Sequence, residues 1–475
     1  MNILKYAFGA GVLLTLFIAP TQLSLEPRKG FHLSPADLTL AFTAAVWLLD
    51  VVLRREWQRL RPPPCVQVLF VAVAGLSFFV AQDKAFAIKD IVQLVEFFIV
   101  GHMLFAAYLR EHEGAMRKAL TVLFVATAIN IGIAVAQYFN ADVKVMDVCG
   151  TFGNRNVLGG YLALALPMLF AAMLGVWQGV FVQTSRRMID LSGVLCFAVA
   201  VVLVAGLMVN LSGASYFAVA MVLVCMAARY RRKDECFFLN DPQCVGIIGS
   251  SDGPTAIFTV VSSPEWLRRL LVRCGLLEFL KRLALQPLLA GCGHHRVFIP
   301  LVACLLVAQV YVLPNLPREN DVVHFRSVAL YDEDGVVVKR YPDWQAAYNA
   351  VLTHPWLGVG MGNYQKRVGE FYDNVPQRTG ANEPDTQNLY LVLAASAGFP
   401  ALLLFIVMLC GAVRRARRAA AHGPGQWLGL GVGGALIAFA FTAVWHPLLV
   451  RGIGLPLAFV LALAQVLATG GKSRK

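Results

Sequence analysis

Long apolar stretches are the feature that most limits what this chain can form. A transmembrane helix needs about 20 mostly apolar residues, because the hydrocarbon core of a bilayer is about 30 Å thick. The chain has 475 residues, of which 58% are hydrophobic and 15% are charged. Hydropathy predicts about twelve spans, numbered here in chain order: 3–24, 35–53, 64–82, 90–109, 118–139, 157–176, 189–209, 212–229, 297–316, 388–411, 427–446 and 452–469. The sequence therefore predicts an all-α integral membrane protein.

The distribution of lysine and arginine predicts the orientation of these spans. Segments on the cytoplasmic side of a membrane carry an excess of both residues. With the first segment inside, roughly two thirds of the 41 lysines and arginines lie in inner segments, so both termini are expected to be cytoplasmic. The net charge of +13 then indicates contact with anionic membrane lipids and not with nucleic acid. We expect a multi-pass protein of the bacterial inner membrane.

Two long loops divide the chain, a large inner loop before span 9 and a large outer loop before span 10. The predicted order is as follows: spans 1–8 in residues 1–229, a cytoplasmic basic loop in 230–296, span 9 in 297–316, a periplasmic loop with a short amphipathic helix in 317–387, and spans 10–12 with a basic tail in 388–475.

The inner loop contains two motifs that suggest ion binding. Residues 245–261, "VGIIGSSDGPTAIFTVV", resemble a signature of the beta subunit of sodium-pumping decarboxylases, in which the aspartate at the position of Asp252 helps to bind sodium. A tight turn at Asp252 explains the same letters. Cys292, His294 and His295 offer half of a zinc site, but their spacing fits no common zinc pattern. We therefore predict no metal and no cofactor.

The outer loop contains a predicted helix and a glycine-rich turn in the stretch "KRYPDWQAAYNAVLTHPWLGVGMGNYQ". Asp343 is the expected N-cap, and Pro355 should stop the helix. The apolar face at helical spacing consists of Trp344, Ala347, Tyr348 and Val351. Three glycines follow, and their missing side chains let the backbone approach a ligand or another helix closely: Gly358, Gly360 and Gly362.

Polar residues cluster at the starts of the spans that run from outside to inside. Helix N-termini carry unpaired N–H groups and a partial positive charge, which favours anions. The residues at these starts are Asn154, Arg155 and Asn156 for span 6, Asn210 and Ser212 for span 8, Asp385, Thr386, Gln387 and Asn388 for span 10, and Arg451 for span 12. If these ends converge, they form an anion site suited to a lipid-linked pyrophosphate.

Basic residues of the outer loop add to this predicted site. Lys339 and Arg340 precede the loop helix, and Lys366 and Arg367 follow it. Arginine can hold phosphate oxygens with a bidentate fork. Alternatively, Arg155 reaches to lipid phosphates, and Lys339 with Arg340 is a solvated basic pair.

Four stretches together resemble the O-antigen ligase and polymerase superfamily of bacterial envelope enzymes. They are "GTFGNRNVLGGYLALALP" before and in span 6, "LSGASYFA" at span 8, "KRYPDWQAAYNAVLTHPWLGVGMGNY" in the outer loop and "QNLYLVLAASAGFPA" in span 10. The resemblance implies transfer of a glycan from an undecaprenyl-pyrophosphate carrier to a hydroxyl on lipid A core, another glycan or a protein, without a metal. Arg340 matches the arginine that relatives carry before the outer-loop helix and is the first catalytic candidate, followed by Arg155. Charge and position at helix starts make six further residues substrate-binding candidates: Lys339, Arg367, Asn154, Asn156, Asn388 and Arg451.

One departure from the family pattern concerns the start of span 10. Ligases of the family have a histidine where this chain has Gln387, and glutamine cannot accept a proton as a general base. Either Gln387 positions the acceptor while Asp385 or Glu383 takes the proton, or the chain belongs to a polymerase-like branch that relies on arginines, or ligase activity is lost. The alternative functions are a small-anion transporter and a non-catalytic membrane scaffold.

Overall fold

Helices account for nearly all of the chain that the computed structural model describes, namely residues 2–21, 25–28, 31–112, 114–140, 147–177, parts of 199–226, 336–372, 386–421 and 426–470. The helices are α1 (Asn2–Ile18), α2 (Pro35–Arg54), α3 (Cys65–Leu76), α4 (Lys84–Val95), α5 (His102–Glu111), α6 (Ala115–Phe139), α7 (Arg155–Trp177), α8 (Val336–Thr353), α9 (Tyr364–Arg367), α10 (Leu389–Ala421), α11 (Gln426–Thr442) and α12 (Gly454–Gly470). A π-turn, Glu96–Gly101, joins α4 to α5, and 3₁₀ turns lie at Trp57–Arg59, Ser77–Phe79 and Val368–Phe371. Almost all these residues belong to one compact unit, Met1–Leu223 with Leu316–Lys475.

Five of the described helical segments are long and apolar enough to cross a membrane. They are Pro35–Arg54, Lys84–Glu111, Ala115–Phe139, Arg155–Met173 and Leu389–Ala421, and shorter apolar helices accompany them. Each predicted span that is fully described overlaps one or more helices, as expected of a multi-pass membrane protein. Span 9 and the 230–296 loop, with Asp252 and Cys292, lie outside the described residues.

A short hairpin is the exception to the all-α prediction within the described chain. Strand β1 (Leu25–Arg28) pairs antiparallel with β2 (Phe31–Leu33) between α1 and α2. Ser34 then caps α2, because its side chain accepts a hydrogen bond from the amide of Ala36 while the Asp37 side chain accepts one from the amide of Ser34. This reciprocal capping fixes the start of α2.

The outer-loop segment from α8 to Tyr372 has a small core of its own. Alanines on one face of α8 (Ala346, Ala347 and Ala350) pack with aromatic and aliphatic residues of the segment that follows and with Ala395 of α10. Two details of the predicted helix are wrong. The helix begins at Val336, so Asp343 is not its cap but is buried and accepts a hydrogen bond from the Tyr372 hydroxyl at 2.6 Å. Tyr348, predicted on the apolar face, is 51% exposed.

The glycine-rich turn is bonded to α10 where that helix is interrupted. Gly398 has φ +85°, outside the helical range, and the backbone amides of Val359, Gly360 and Phe399 bond to carbonyls across the contact at 2.8 to 3.0 Å. A Cβ on Gly398 would lie 2.1 Å from the carbonyl oxygen of Trp356, and one on Gly358 (φ +63°) 2.5 Å from that of Ala395. The prediction of close backbone approach at Gly358 is therefore confirmed, and its partner is a helix.

Candidate functional site

A cavity of about 610 Å³ opens where the N-terminal ends of several helices meet, a volume typical of small-ligand sites. Its walls come from α4, α7 and α10, from the segment before α9 and from the turn between α11 and α12 (residues 443–453, the α11–α12 turn). Its apolar lining includes Leu389, Val392, Leu393 and Leu448. The polar lining comprises Ser34, Lys89, Asp90, Gln93, Asn154, Asn156, Tyr364, Gln365, Ser396, His446 and Arg451. A charged head group with a lipid tail matches this mixture.

The α11–α12 turn is held in place from two sides. The amide of Leu389 at the start of α10 donates to the carbonyl of Ala443 at 2.9 Å. From α8, Arg340 donates from Nη1 to the carbonyl of Trp445 at 3.0 Å, and the Trp344 ring lies 5.7 Å from the Trp445 ring. The guanidinium of Arg340 also lies over the Trp445 ring, at 5.7 Å from its centroid. Arg340 therefore orients this turn and places positive charge next to the cavity.

His446 lies in this turn and lines the cavity, and its side chain is 4% exposed. Its Nε2 is 2.9 Å from the hydroxyl of Ser212, whereas its buried Nδ1 has no hydrogen-bond partner in the described part of the chain. Burial, and then the positive charges of Arg340 and Arg155, lower the pKa of His446 to about 3. The imidazole is therefore neutral near pH 7.

Arg451 lines the cavity from the end of the same turn and belongs to a network of charged groups. Its Nη2 lies 3.1 Å from Oδ2 of Asp37, the carboxylate that also caps α2. Glu96 shares a side-chain hydrogen bond with Asp37 at the start of the π-turn. These contacts join α2, the α4–α5 segment and the α11–α12 turn.

The first residues of α7 contribute a second wall. Asn154 and Asn156 both line the cavity, and the Asn154 side chain accepts a hydrogen bond from the amide of Asn156 at 2.8 Å. Asn154 is thus the residue that caps α7. Arg155 is half-buried and close enough to His446 to oppose protonation of the imidazole.

The start of α10 lies beside the cavity, with backbone geometry that is unusual for its sequence. Gln387 has φ +44°, in the left-handed region that non-glycine residues seldom adopt. Asn388 caps α10, because its side-chain oxygen accepts from the amides of Tyr390 and Leu391 at 3.0 and 3.1 Å. The lining residue here is Leu389, and neither Gln387 nor Asn388 is among those that line the cavity.

Arg367, another predicted site residue, pairs with a neighbouring carboxylate, and the side chains of two further predicted residues are not described. Arg367 forms a two-point ion pair with Glu370, at 3.0 and 2.7 Å, and is not a lining residue. This ion pair lowers the pKa of the Glu370 carboxyl. The side chain of Lys339 and the whole of Asp385 lie outside the described residues.

Of the eleven described polar lining residues, eight were not predicted from the sequence, and four of these show why. Asp90 and Gln93 belong to predicted span 4 and Lys89 directly precedes it, and their i, i+1, i+4 pattern gave no functional signal. For His446 the sequence did contain a signal. A histidine between tryptophan and proline in a short outward turn lies close to the starts of the neighbouring spans. Groups of three or more metal-ligand side chains are absent from the described residues.

Comparison with known proteins supports the superfamily resemblance. The family described as O-Antigen ligase has a sequence model that matches residues 267–406, a range that includes Arg340, the glycine-rich turn and the first part of α10. No curated protein matches the sequence. The match confirms that the chain resembles the O-antigen ligase superfamily.

Proposed function

We propose that this protein transfers a glycan from an undecaprenyl-diphosphate carrier to an acceptor hydroxyl at the outer face of the bacterial inner membrane. The observation that carries the proposal is that Arg451 lines a cavity with an apolar wall, and that Arg340 and Arg155 lie close enough to His446, in the same wall, to oppose its protonation. The arginines would bind the phosphates of such a donor, and the apolar wall would contact its lipid. The family match supports the same reaction class.

The positively charged residues would stabilise the diphosphate as it leaves the glycan. Departure of the diphosphate from the anomeric carbon of the glycan builds negative charge on oxygen, and fixed positive groups aimed at that charge lower the barrier. Arg155 lies at the N-terminus of α7, where the helix dipole adds to its charge. Asn154 and Asn156 at the same helix end would contact phosphate or sugar oxygens. No nucleotide sugar or metal is required by this scheme.

The remaining site residues keep their predicted roles as parts of the proposal. Gln387 precedes α10 and would position the acceptor, because its amide cannot take a proton. Asp385 is the predicted proton acceptor, and Lys339, Arg367 and Asn388 are predicted to contact substrate. Of these five, Asn388 already uses its side-chain oxygen to cap α10. Because neither Asn388 nor Arg367 lines the cavity, both would contact parts of the substrate that lie outside it.

Transfer in lipid vesicles tests the proposal directly. The full-length protein would be reconstituted with undecaprenyl-diphosphate glycan extracted from the native host and with candidate acceptors. We expect Arg340→Ala to lower turnover by about 100-fold or more, and Arg340→Lys to recover part of it, since lysine keeps the charge but not the fork. Arg155→Ala provides a second variant that leaves the contact to Trp445 intact. Arg417→Ala, which removes an exposed arginine from the other end of α10, is the control.

Two results would count against the enzyme. Unaltered turnover in Arg340→Ala and Arg155→Ala, at normal protein level, would remove the assigned roles of these arginines. Uptake of labelled phosphate or sulfate into the vesicles, without any glycan transfer, would favour the small-anion transporter instead.

A further inference from the structure

His446 has a nitrogen that no described residue satisfies. Its ring is almost fully buried in the cavity wall, Nε2 meets Ser212 at 2.9 Å, and Nδ1 is buried without a hydrogen bond. An unsatisfied buried polar atom is costly, so buried ring nitrogens are nearly always paired. The missing partner is readily explained if a ligand supplies it.

Positive charge surrounds this histidine on several elements. Arg340 on α8 and Arg155 on α7 both act on the imidazole, and Arg451 and Lys89 line the same cavity. Asp90 on α4 is the one carboxylate among the described lining residues. An anion that occupied the cavity would offset the charges that now oppose protonation of His446.

We propose that His446 is a further ligand of the donor diphosphate and that it takes up one proton when the donor binds. This inference rests on the proposed function and adds to it a residue that the family pattern does not indicate. With a proton on each nitrogen, His446 donates from Nε2 to the Ser212 hydroxyl and from Nδ1 to a phosphate oxygen. The imidazolium then adds a charge to the guanidiniums that stabilise the departing diphosphate.

The surroundings of His446 favour the neutral imidazole until an anion binds. Burial and two guanidiniums lower the pKa of His446 to about 3, so the free protein holds it neutral. A diphosphate diester carries two negative charges and would restore protonation near the ordinary histidine value of about 6.5. The Ser212 hydroxyl can donate to Nε2 or accept from it, so this contact persists in both states. Donor binding and proton uptake are therefore coupled.

Binding of a soluble probe tests the inference without knowledge of the glycan. Farnesyl methyl diphosphate, a diester with no group that titrates near neutral pH, would be titrated into the full-length protein in nanodiscs by calorimetry. Measurements in two buffers of different ionisation enthalpy count the protons taken up. We expect uptake of about one proton by the wild type and an affinity that rises about tenfold per pH unit as the pH falls from about 6 to 4.

Two substitutions at the same position separate the charge from the hydrogen bond. Glutamine places its amide near Nε2, so His446→Gln keeps the contact to Ser212 and should bind the probe more weakly with no proton uptake. Asparagine places its amide near Nδ1, so His446→Asn should recover part of the affinity, again with no uptake. If His446→Gln does not accumulate, His446→Asn alone carries the test.

The outcomes distinguish failure of this inference from failure of the proposed function. If the wild type and His446→Gln take up the same number of protons, or if uptake is lost in Asp90→Asn and not in His446→Gln, the inference about His446 is overturned. Probe binding that still depends on Arg340 would leave the proposed function standing. If the wild type binds no polyprenyl diphosphate at any pH, the proposed function itself fails.

Discussion

Acid should destabilise this protein through His446, and the substitution His446→Gln should remove that effect. The unfolded chain binds a proton at this histidine below about pH 6.5, whereas the folded chain holds the pKa at about 3. Between these values the unfolded state binds more protons than the folded state, so the free energy of unfolding decreases as the pH falls. Above about pH 6.5 the histidine makes no such contribution.

The size of the effect follows from the gap between the two pKa values. Linkage predicts that the free energy of unfolding decreases by about 2 kcal/mol at pH 5. The decrease reaches about 5 kcal/mol once the pH is below the pKa of His446 in the folded protein. Glutamine keeps a hydrogen-bonding group near Ser212 and cannot be protonated. The stability difference between wild type and His446→Gln should thus change steadily, in favour of the variant, as the pH is lowered.

Thermal unfolding of both proteins in nanodiscs, scanned at one heating rate from about pH 8 to 4, measures this difference. Carboxylates that titrate in the same range affect both proteins equally and cancel in the comparison. A difference that stays constant from about pH 7 to 4.5 would refute the explanation, because it would mean that burial and the two arginines do not keep His446 neutral. Addition of the diphosphate diester should raise the unfolding temperature of the wild type most at acid pH, where His446 is protonated in the bound protein and neutral in the free protein.

Two further predictions concern stability alone. Gly398→Ala should lower the free energy of unfolding by roughly 2–4 kcal/mol, because the added Cβ would meet the Trp356 carbonyl and the backbone there has positive φ. Gly132→Ala in α6 is the control, because an added Cβ there would have nothing within 4 Å of it. This control should leave thermal stability equal or higher. Tyr372→Phe should lower the free energy of unfolding by about 1–3 kcal/mol, since it removes the hydrogen bond that the Tyr372 hydroxyl donates to buried Asp343. An unchanged unfolding temperature in either variant would contradict the packing described for the outer loop.

The membrane helices were predictable from sequence because a single physical constraint dominates them. Every backbone polar group in a bilayer must be bonded within the segment, so apolar stretches of sufficient length become helices. Span 2, predicted at 35–53, is found as Pro35–Arg54, and span 5, predicted at 118–139, as Ala115–Phe139. The π-turn Glu96–Gly101 was not predictable, since it depends on packing between helices and not on composition.

The sequence predicted the chemical character of the site but only some of the residues that form it. Charge and helix ends indicated Asn154, Asn156 and Arg451, which line one cavity. Arg367 was expected there on charge alone, yet Glu370, three residues later, is close enough to form an ion pair with it. The local sequence placed His446 in an outward turn but did not show its contacts, since Ser212, its hydrogen-bond partner, is 234 residues away in sequence.

The contact between the glycine-rich turn and α10 limits what sequence change this region can accept. Backbone atoms form the bonds from Val359, Gly360 and Phe399, so replacing neighbouring side chains leaves them in place. Insertion or deletion of one residue between Pro355 and Gly360 would instead move each amide away from its carbonyl. Apart from the glycines, where a Cβ would meet neighbouring backbone, the number of residues in this stretch is therefore more constrained than their identity. A graft from another protein would need to preserve that spacing.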